Sequence, residues 1–334
     1  MITKTTKTLL GKTVQYYTLS NDFMRLTFID HGATIVDWQV KTQDKPFESI
    51  VLKYANDEDY IKNPKFLGST VGPYAGRIYP ARIDLNQKSY PLEKNFNDHA
   101  NLHSASLNLM HHTYSVKVID DFTISFKTHL SDKHYPSDTT FTLTFTLDKD
   151  TLHQVYETNT LVDTFTNLTN HTYFNLSGDI KTDVLDHTLT MQAKYVGKLD
   201  QNFMSESLMN PKDTLYDFSK EKPLKEAVLP LKNTPQLGLD HPFLLSDQTI
   251  ILKDPLSKRT LTITTNQECV VVYSNNFLIS EPLNQDITDR SHLSICLETQ
   301  HYPNDIHFLN YPKSFHEKNT THIQKTSYKI GVAE

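Results

Sequence analysis

Residues 140–147 read Thr-Phe-Thr-Leu-Thr-Phe-Thr-Leu. In an extended chain successive side chains point to opposite faces. Phe141, Leu143, Phe145 and Leu147 then share one face and the threonines the other. A helix would scatter the same residues around its circumference. The pattern specifies a half-buried strand, and β-branched threonine suits its open face. Residues 122–126, 261–263, 270–273 and 327–332 read similarly. Residues 24–29 alternate and run into Asp30-His-Gly, a turn signal. Residues 156–165 read as a strand that delivers the segment after it.

Helical signals are few. Residues 57–63, stopped by Pro64, predict a short helix. Residues 219–228 contain a proline and read as a turn or a helical turn. No fixed-period repeat, low-complexity linker or composition shift marks a boundary. With only 9 glycines, many turns must be built from Asn, Asp and Ser. The expectation is all-β: one large antiparallel domain over residues 1–334 with long functional loops.

Bulk properties exclude several function classes. The net charge is −6 and no basic block occurs, so the electrostatic footprint of nucleic-acid binding is missing. No stretch approaches the ~20 apolar residues of a membrane helix. The first 17 residues contain lysines but no apolar run, so they read as no secretory signal. Cys269 and Cys296 each sit in an apolar, strand-like run, which favours free thiols in a reducing compartment. A cytoplasmic protein is expected. Despite 16 histidines there is no His-Glu-x-x-His or paired-cysteine spacing, so no metal is expected.

The segment 165–178 reads Phe-Thr-Asn-Leu-Thr-Asn-His-Thr-Tyr-Phe-Asn-Leu-Ser-Gly. Three asparagines alternate there with aromatic and aliphatic residues. Amides that close to apolar side chains are expected to be half buried, and a buried amide must find partners. His171 is the one histidine inside. It is either a core histidine satisfied by a carbonyl or a desolvated, oriented proton-transfer group.

The run from Asn167 to Gly178 resembles the signature of the aldose 1-epimerase (galactose mutarotase) family, in which this histidine is the general acid. The resemblance implies a β-supersandwich fold. Ile295-Cys-Leu-Glu-Thr-Gln is close to the family's Leu-Glu-Thr-Gln run, whose glutamate is the general base; it maps onto Glu298. Taken alone, Glu298 is a strand carboxylate that either enters a cavity or is solvated. The run ending Tyr74-Ala-Gly-Arg-Ile resembles a family motif whose arginine contacts sugar hydroxyls, here Arg77, with Gly76 in place of an asparagine. Asn101-Leu-His-Ser places His103 near the substrate by the same resemblance, with Ser104 and Ala105 replacing two glycines. Gly238-Leu-Asp-His-Pro-Phe maps a hydroxyl-binding carboxylate onto Asp240. Tyr173, inside the His171 run, is a further substrate-binding candidate. Val271 replaces a glutamine that often touches substrate. The motifs occur in family order from about residue 24 to the C-terminal strand.

The resemblance implies interconversion of the α and β anomers of a free hexose such as galactose or glucose. His171 would protonate the ring oxygen and Glu298 would take the C1 hydroxyl proton. A nearby carboxylate would keep His171 protonated. No cofactor is needed, and the partner is a small monosaccharide, with the chain as monomer or homodimer. The alternatives are a mutarotase for hexose phosphates or other sugars, and a non-catalytic sugar-binding protein of the same fold.

Overall fold

A computed structural model describes residues 1–42, 46–283, 287–288, 290–307 and 313–332. Its architecture is the all-β antiparallel fold expected from the period-two patterning, arranged as the supersandwich that the family resemblance implies. Ile2–Leu9, Lys12–Ser20, Met24–Ile29, Thr34–Val40 and Glu48–Ser49 form an antiparallel meander in chain order. Among the described residues, thirteen strands join in a second, larger sheet. Ser137–Asp148 lies inside it, and Phe141, Leu143, Phe145 and Leu147 are all buried while the intervening threonines are half exposed. The long closing strand Thr320–Val332 pairs on one side with Thr151–Thr160 and on the other with Arg259–Thr265.

The two sheets meet through large aromatics, whose burial dominates core energetics. Phe28 of the meander lies 4.7 Å from Phe145, between ring centroids. Trp38 stands edge-on to both Phe174 and Tyr328, each at 5.7 Å. The helix predicted near residues 57–63 is a single turn, Asp59–Lys62, ended by Asn63 in the left-handed conformation. Asn86, Asn97, Asn304, Asn319 and Asp179 also adopt positive φ, as the shortage of glycine requires. Both cysteines are free and buried.

One expectation fails locally. Residues 156–165 are not a continuous strand. Thr151–Thr160 ends where the Thr160 hydroxyl donates to the Val162 carbonyl at 2.6 Å. That side-chain turn competes with the sheet ladder, and Leu161 and Val162 are exposed. The chain then re-enters through Thr164–Phe165, a separate two-residue strand paired with Phe315–His316.

The fourteen-residue strand Asp240–Lys253 positions the site. Its C-terminal half pairs with Arg259–Thr265 and its N-terminal half with Cys269–Tyr273. Beyond Cys269–Tyr273 lie Ile295–Gln300 and then Tyr173–Phe174, all antiparallel. This end of the sheet carries the candidate site.

Candidate active site

The pleat places Asp240 and Pro242, Val271 and Tyr273, and Cys296, Glu298 and Gln300 on one face of adjacent strands. Pro242 pairs with Val271, and Val271 pairs with Glu298. Tyr173 pairs with Cys296. Two residues back on one strand and two forward on the other bring His171 beside Glu298. The contact is direct: His171 Nε2 lies 3.5 Å from Glu298 Oε1. Both line one cavity of about 550 Å³, a size usual for small-molecule sites. Arg77, His103, Tyr173, Asp240 and Val271 line it too. The five motif segments, far apart in the chain, thus converge.

His171 is held from all sides. Its backbone N–H donates to the Ser69 carbonyl at 2.9 Å and its carbonyl accepts from Gly68 N–H at 3.0 Å. Tyr173 stacks on the ring at 5.0 Å and Phe66 lies at 5.6 Å. The Tyr173 hydroxyl donates to the Lys65 carbonyl at 2.9 Å, which fixes this wall. On the other edge of the imidazole, Nδ1 lies 3.5 Å from Cys296 Sγ. Burial pushes the Cys296 thiol far up, so the sulfur stays neutral and accepts from Nδ1–H. Nε2 is then the bare nitrogen, and it faces Glu298 and the cavity.

The charge state reverses one expectation. No carboxylate holds His171 protonated. Burial pushes its pKa down to about 4. Burial, followed by the charge of Asp240, raises Glu298 to about 8. At neutral pH the pair is a neutral imidazole beside a carboxylic acid. The physical reason is that a dry cavity penalises both charges. The pair still holds the single proton that acid–base work requires, now on the carboxyl.

Arg77 and Asp240 form the second pair. Arg77 Nη2 donates to Asp240 Oδ2 at 2.8 Å. The guanidinium also lies 4.6 Å from the Phe96 ring and 5.1 Å from Phe203, within cation–π range. Burial raises the Asp240 carboxyl and Arg77 opposes it. His241, next in sequence, contacts only the backbone of Asp240: its Nδ1 accepts from Asp240 N–H at 3.1 Å, and Nε2 meets the Tyr216 hydroxyl. There is no triad geometry here.

His103 sits across the cavity. Its Nδ1 accepts from Gly76 N–H at 3.1 Å, and its own N–H donates to the Gly76 carbonyl at 2.9 Å. Burial depresses its pKa well below the usual imidazole value. The ring is neutral, with its proton on Nε2 as a donor. Gly76 is required in this arrangement: φ is +83°, and a Cβ would fall 2.8 Å from Pro303 Cβ. The turn that follows keeps a left-handed course without glycine, with φ of 53° at His103, 62° at Ser104 and 49° at Ala105. The Ser104 hydroxyl holds it by accepting from Tyr74 N–H at 2.9 Å. His99, His111 and His112 lie outside the cavity lining.

Sequence reasoning missed Phe66, Phe96 and Phe203. Each lies in a loop with no periodic signal, and only tertiary contact with His171 or Arg77 reveals it. Among the described residues, no group of three or more His, Cys, Asp or Glu is placed to hold a metal ion.

A buried imidazole and carboxyl in contact inside the pocket of an antiparallel supersandwich, with donors and acceptors fixed opposite, form a small-molecule site suited to proton transfer. The sequence profile of the aldose 1-epimerase family matches residues 15–329. An aldose 1-epimerase of Haemophilus influenzae is 30% identical over 303 residues, covering 88% of each chain. Galactose mutarotase of Mus musculus is 27% identical over 331 residues, covering 97% of this chain and 96% of its own. The chain belongs to the aldose 1-epimerase family and is an isomerase. Solved structures agree on the fold. An aldose epimerase homologue from C. elegans superposes with a TM-score of 0.89 at 22% identity, over 96% of this chain and 99% of that one. A galactose 1-epimerase from Lactobacillus acidophilus gives 0.87 at 24% identity, over 100% and 99%. No helix among the described residues is long and apolar enough to cross a membrane.

Proposed function

We propose that this mutarotase acts on free hexoses such as galactose and glucose, as a one-domain cytoplasmic enzyme, with His171 and Glu298 as its acid–base pair. The observation that carries the assignment is their 3.5 Å approach inside one cavity. The two oxygens that exchange protons in anomerisation, O1 and O5, are bonded to the same carbon. Two side chains this close can serve both at once.

The proton count supports the cycle. In ring opening, the Glu298 carboxyl proton passes to His171 Nε2 across their contact, and His171 gives it to O5 as the C1–O5 bond breaks. Glu298 takes the O1 proton as the C1=O1 bond forms. The pair is left as neutral imidazole and carboxylic acid, its own resting state. Rotation about C1–C2 presents the other carbonyl face. Closure returns the proton from Glu298 to O1 while His171 takes the O5 proton and hands it back to the Glu298 carboxylate. No proton is gained or lost overall. An imidazolium with so low a pKa is a strong acid toward a weakly basic ring oxygen. Arg77, His103, Tyr173 and Asp240 would position the remaining hydroxyls. Asp240 already matches the charge of Arg77, which favours free over phosphorylated hexoses.

Polarimetry of freshly dissolved α-D-galactose and α-D-glucose tests the reading. Equilibration faster than the buffer blank is expected for at least one. A rate equal to the blank for both would leave a sugar-binding protein of the same fold.

A further inference from the structure

Three neighbouring strand positions, Pro242, Val271 and Glu298, continue into the loop residue His171 to form one row along the cavity floor. All four line the cavity. Neighbouring strands lie about 4.8 Å apart, a spacing comparable to the width of a pyranose ring. The row therefore reads the ring atom by atom. This argument rests on the assignment of His171 to O5 and Glu298 to O1. The anomeric carbon has only one other ring neighbour, C2. With O5 on the His171 side of Glu298, C2 and its substituent fall on the other side, over Val271.

Val271 offers methyl groups and no hydrogen bond. On the same face its neighbours are Pro242 and Glu298 across the strands and Cys269 and Tyr273 along its own. Pro242 is apolar, and the Cys269 thiol is fully buried. The Tyr273 hydroxyl accepts from Phe277 N–H at 3.4 Å, and its remaining donor lies in the row of Asp240, not of Val271. Gln300 lies one row away, opposite Cys269, with its nitrogen on the His301 carbonyl at 3.2 Å and its Oε1 without a partner among the described residues, so Val271 itself is the apolar position of the row. The polar pair Arg77–Asp240 lies one row away, beside Tyr273 rather than Val271. Hydroxyls farther round the ring meet that pair.

We propose that Val271 makes the site indifferent to the C2 hydroxyl, and that 2-deoxyaldopyranoses are substrates alongside their 2-hydroxy parents. A site that hydrogen-bonds a substrate hydroxyl rejects the analogue lacking it by ~10⁴–10⁵-fold, because buried polar groups are left unpaired. An apolar wall leaves nothing unpaired. It strips water from a C2 hydroxyl without replacing it, so the deoxy sugar loses nothing there.

The test compares kcat/KM for D-galactose with 2-deoxy-D-galactose, and D-glucose with 2-deoxy-D-glucose, by polarimetry corrected for each sugar's own blank. Expected is a ratio within tenfold for each pair. A preference for the 2-hydroxylated sugar beyond tenfold in both pairs overturns the inference while leaving the mutarotase assignment intact. Acceleration of none of the four sugars removes that assignment and this inference together. In the Val271→Gln variant, which places an amide over C2, the ratio is expected to move at least tenfold toward the hydroxylated sugar. An unchanged ratio in a folded, active variant also overturns the proposal. Because the wild-type ratio stands by itself, poor folding of the variant does not rescue the idea.

Discussion

His171 Nε2, in the loop before Tyr173–Phe174, lies 3.5 Å from Glu298 Oε1 on the adjacent strand Ile295–Gln300, and at neutral pH neither group carries its charge. A buried pair sharing one proton titrates as a unit. Below about 4 both groups are protonated, and above about 8 neither is. The pH profile of kcat/KM is expected to be bell-shaped, with a broad neutral plateau and limbs near those two values. A profile that falls through a single limb near 6.5 would show an ordinary, uncoupled histidine instead.

Replacing either partner removes one proton carrier. His171→Asn and Glu298→Gln are each expected to lower kcat by at least about two decades. Glu298→Gln should fold normally, because the native group is already uncharged at pH 7. Circular dichroism and polarimetry on the same sample check both halves. A folded variant with near-wild-type turnover removes that residue from the chemistry.

Arg77 and Asp240 depend on each other. Asp240→Ala leaves a buried guanidinium with only the Phe96 and Phe203 faces as company. Arg77→Ala leaves a buried carboxylate. Each should raise KM about tenfold or more, since an unpaired buried charge costs a few kcal/mol. The double variant should lose much less than the sum of the two, which a double-mutant cycle measures. Strict additivity would mean that the 2.8 Å contact does not couple them.

The Cys296 thiol against His171 Nδ1 orients the imidazole. Losing one neutral hydrogen bond is worth about 1 kcal/mol, or roughly fivefold in rate. Cys296→Ala is therefore expected to lower kcat about fivefold with KM nearly unchanged. Cys296→Ser should recover part of it and move the acid limb of the pH profile. If Ala and Ser behave alike, the thiol only fills space.

Acid should unfold this protein early. Burial pushes His187 down to about 4, and His241 and His316 down to about 3. In the unfolded chain each returns to ~6.5. Between these values the unfolded state binds protons that the native state refuses, so stability falls as pH drops below about 6.5. Glu298 acts in the opposite sense: its native carboxyl holds a proton up to about 8, and stability falls as pH rises from ~4.5 toward that value. The histidines outnumber it, and a denaturation midpoint that declines from pH 6.5 to 5 is expected. A flat midpoint over that range contradicts the burial argument.

The sequence made the strands legible because one face of each is buried and the other is not, as residues 140–147 illustrate. His171 and Glu298 were legible through the resemblance of their segments to family motifs; the residues alone left His171 as a core or a catalytic histidine and Glu298 as a cavity or a solvated carboxylate. Their protonation was not legible. Which of two groups keeps a proton depends on cavity dryness and on Asp240, a residue 58 positions before Glu298. The aromatic faces around Arg77 were also invisible, because Phe96 and Phe203 come together only through the folding of separate loops. The break after Thr160 hinged on one hydroxyl choosing a turn over a ladder.

The left-handed run through His103, Ser104 and Ala105 has a consequence for how a sugar is received. Each of these residues would rest more easily as glycine, by on the order of 1 kcal/mol, yet only serine supplies the hydroxyl that grips the Tyr74 backbone. The sequence has given up pliancy for grip. If His103 contacts the substrate as proposed, a visiting ring meets an imidazole already pinned in place, and the sugar conforms to the wall rather than drawing the wall toward itself.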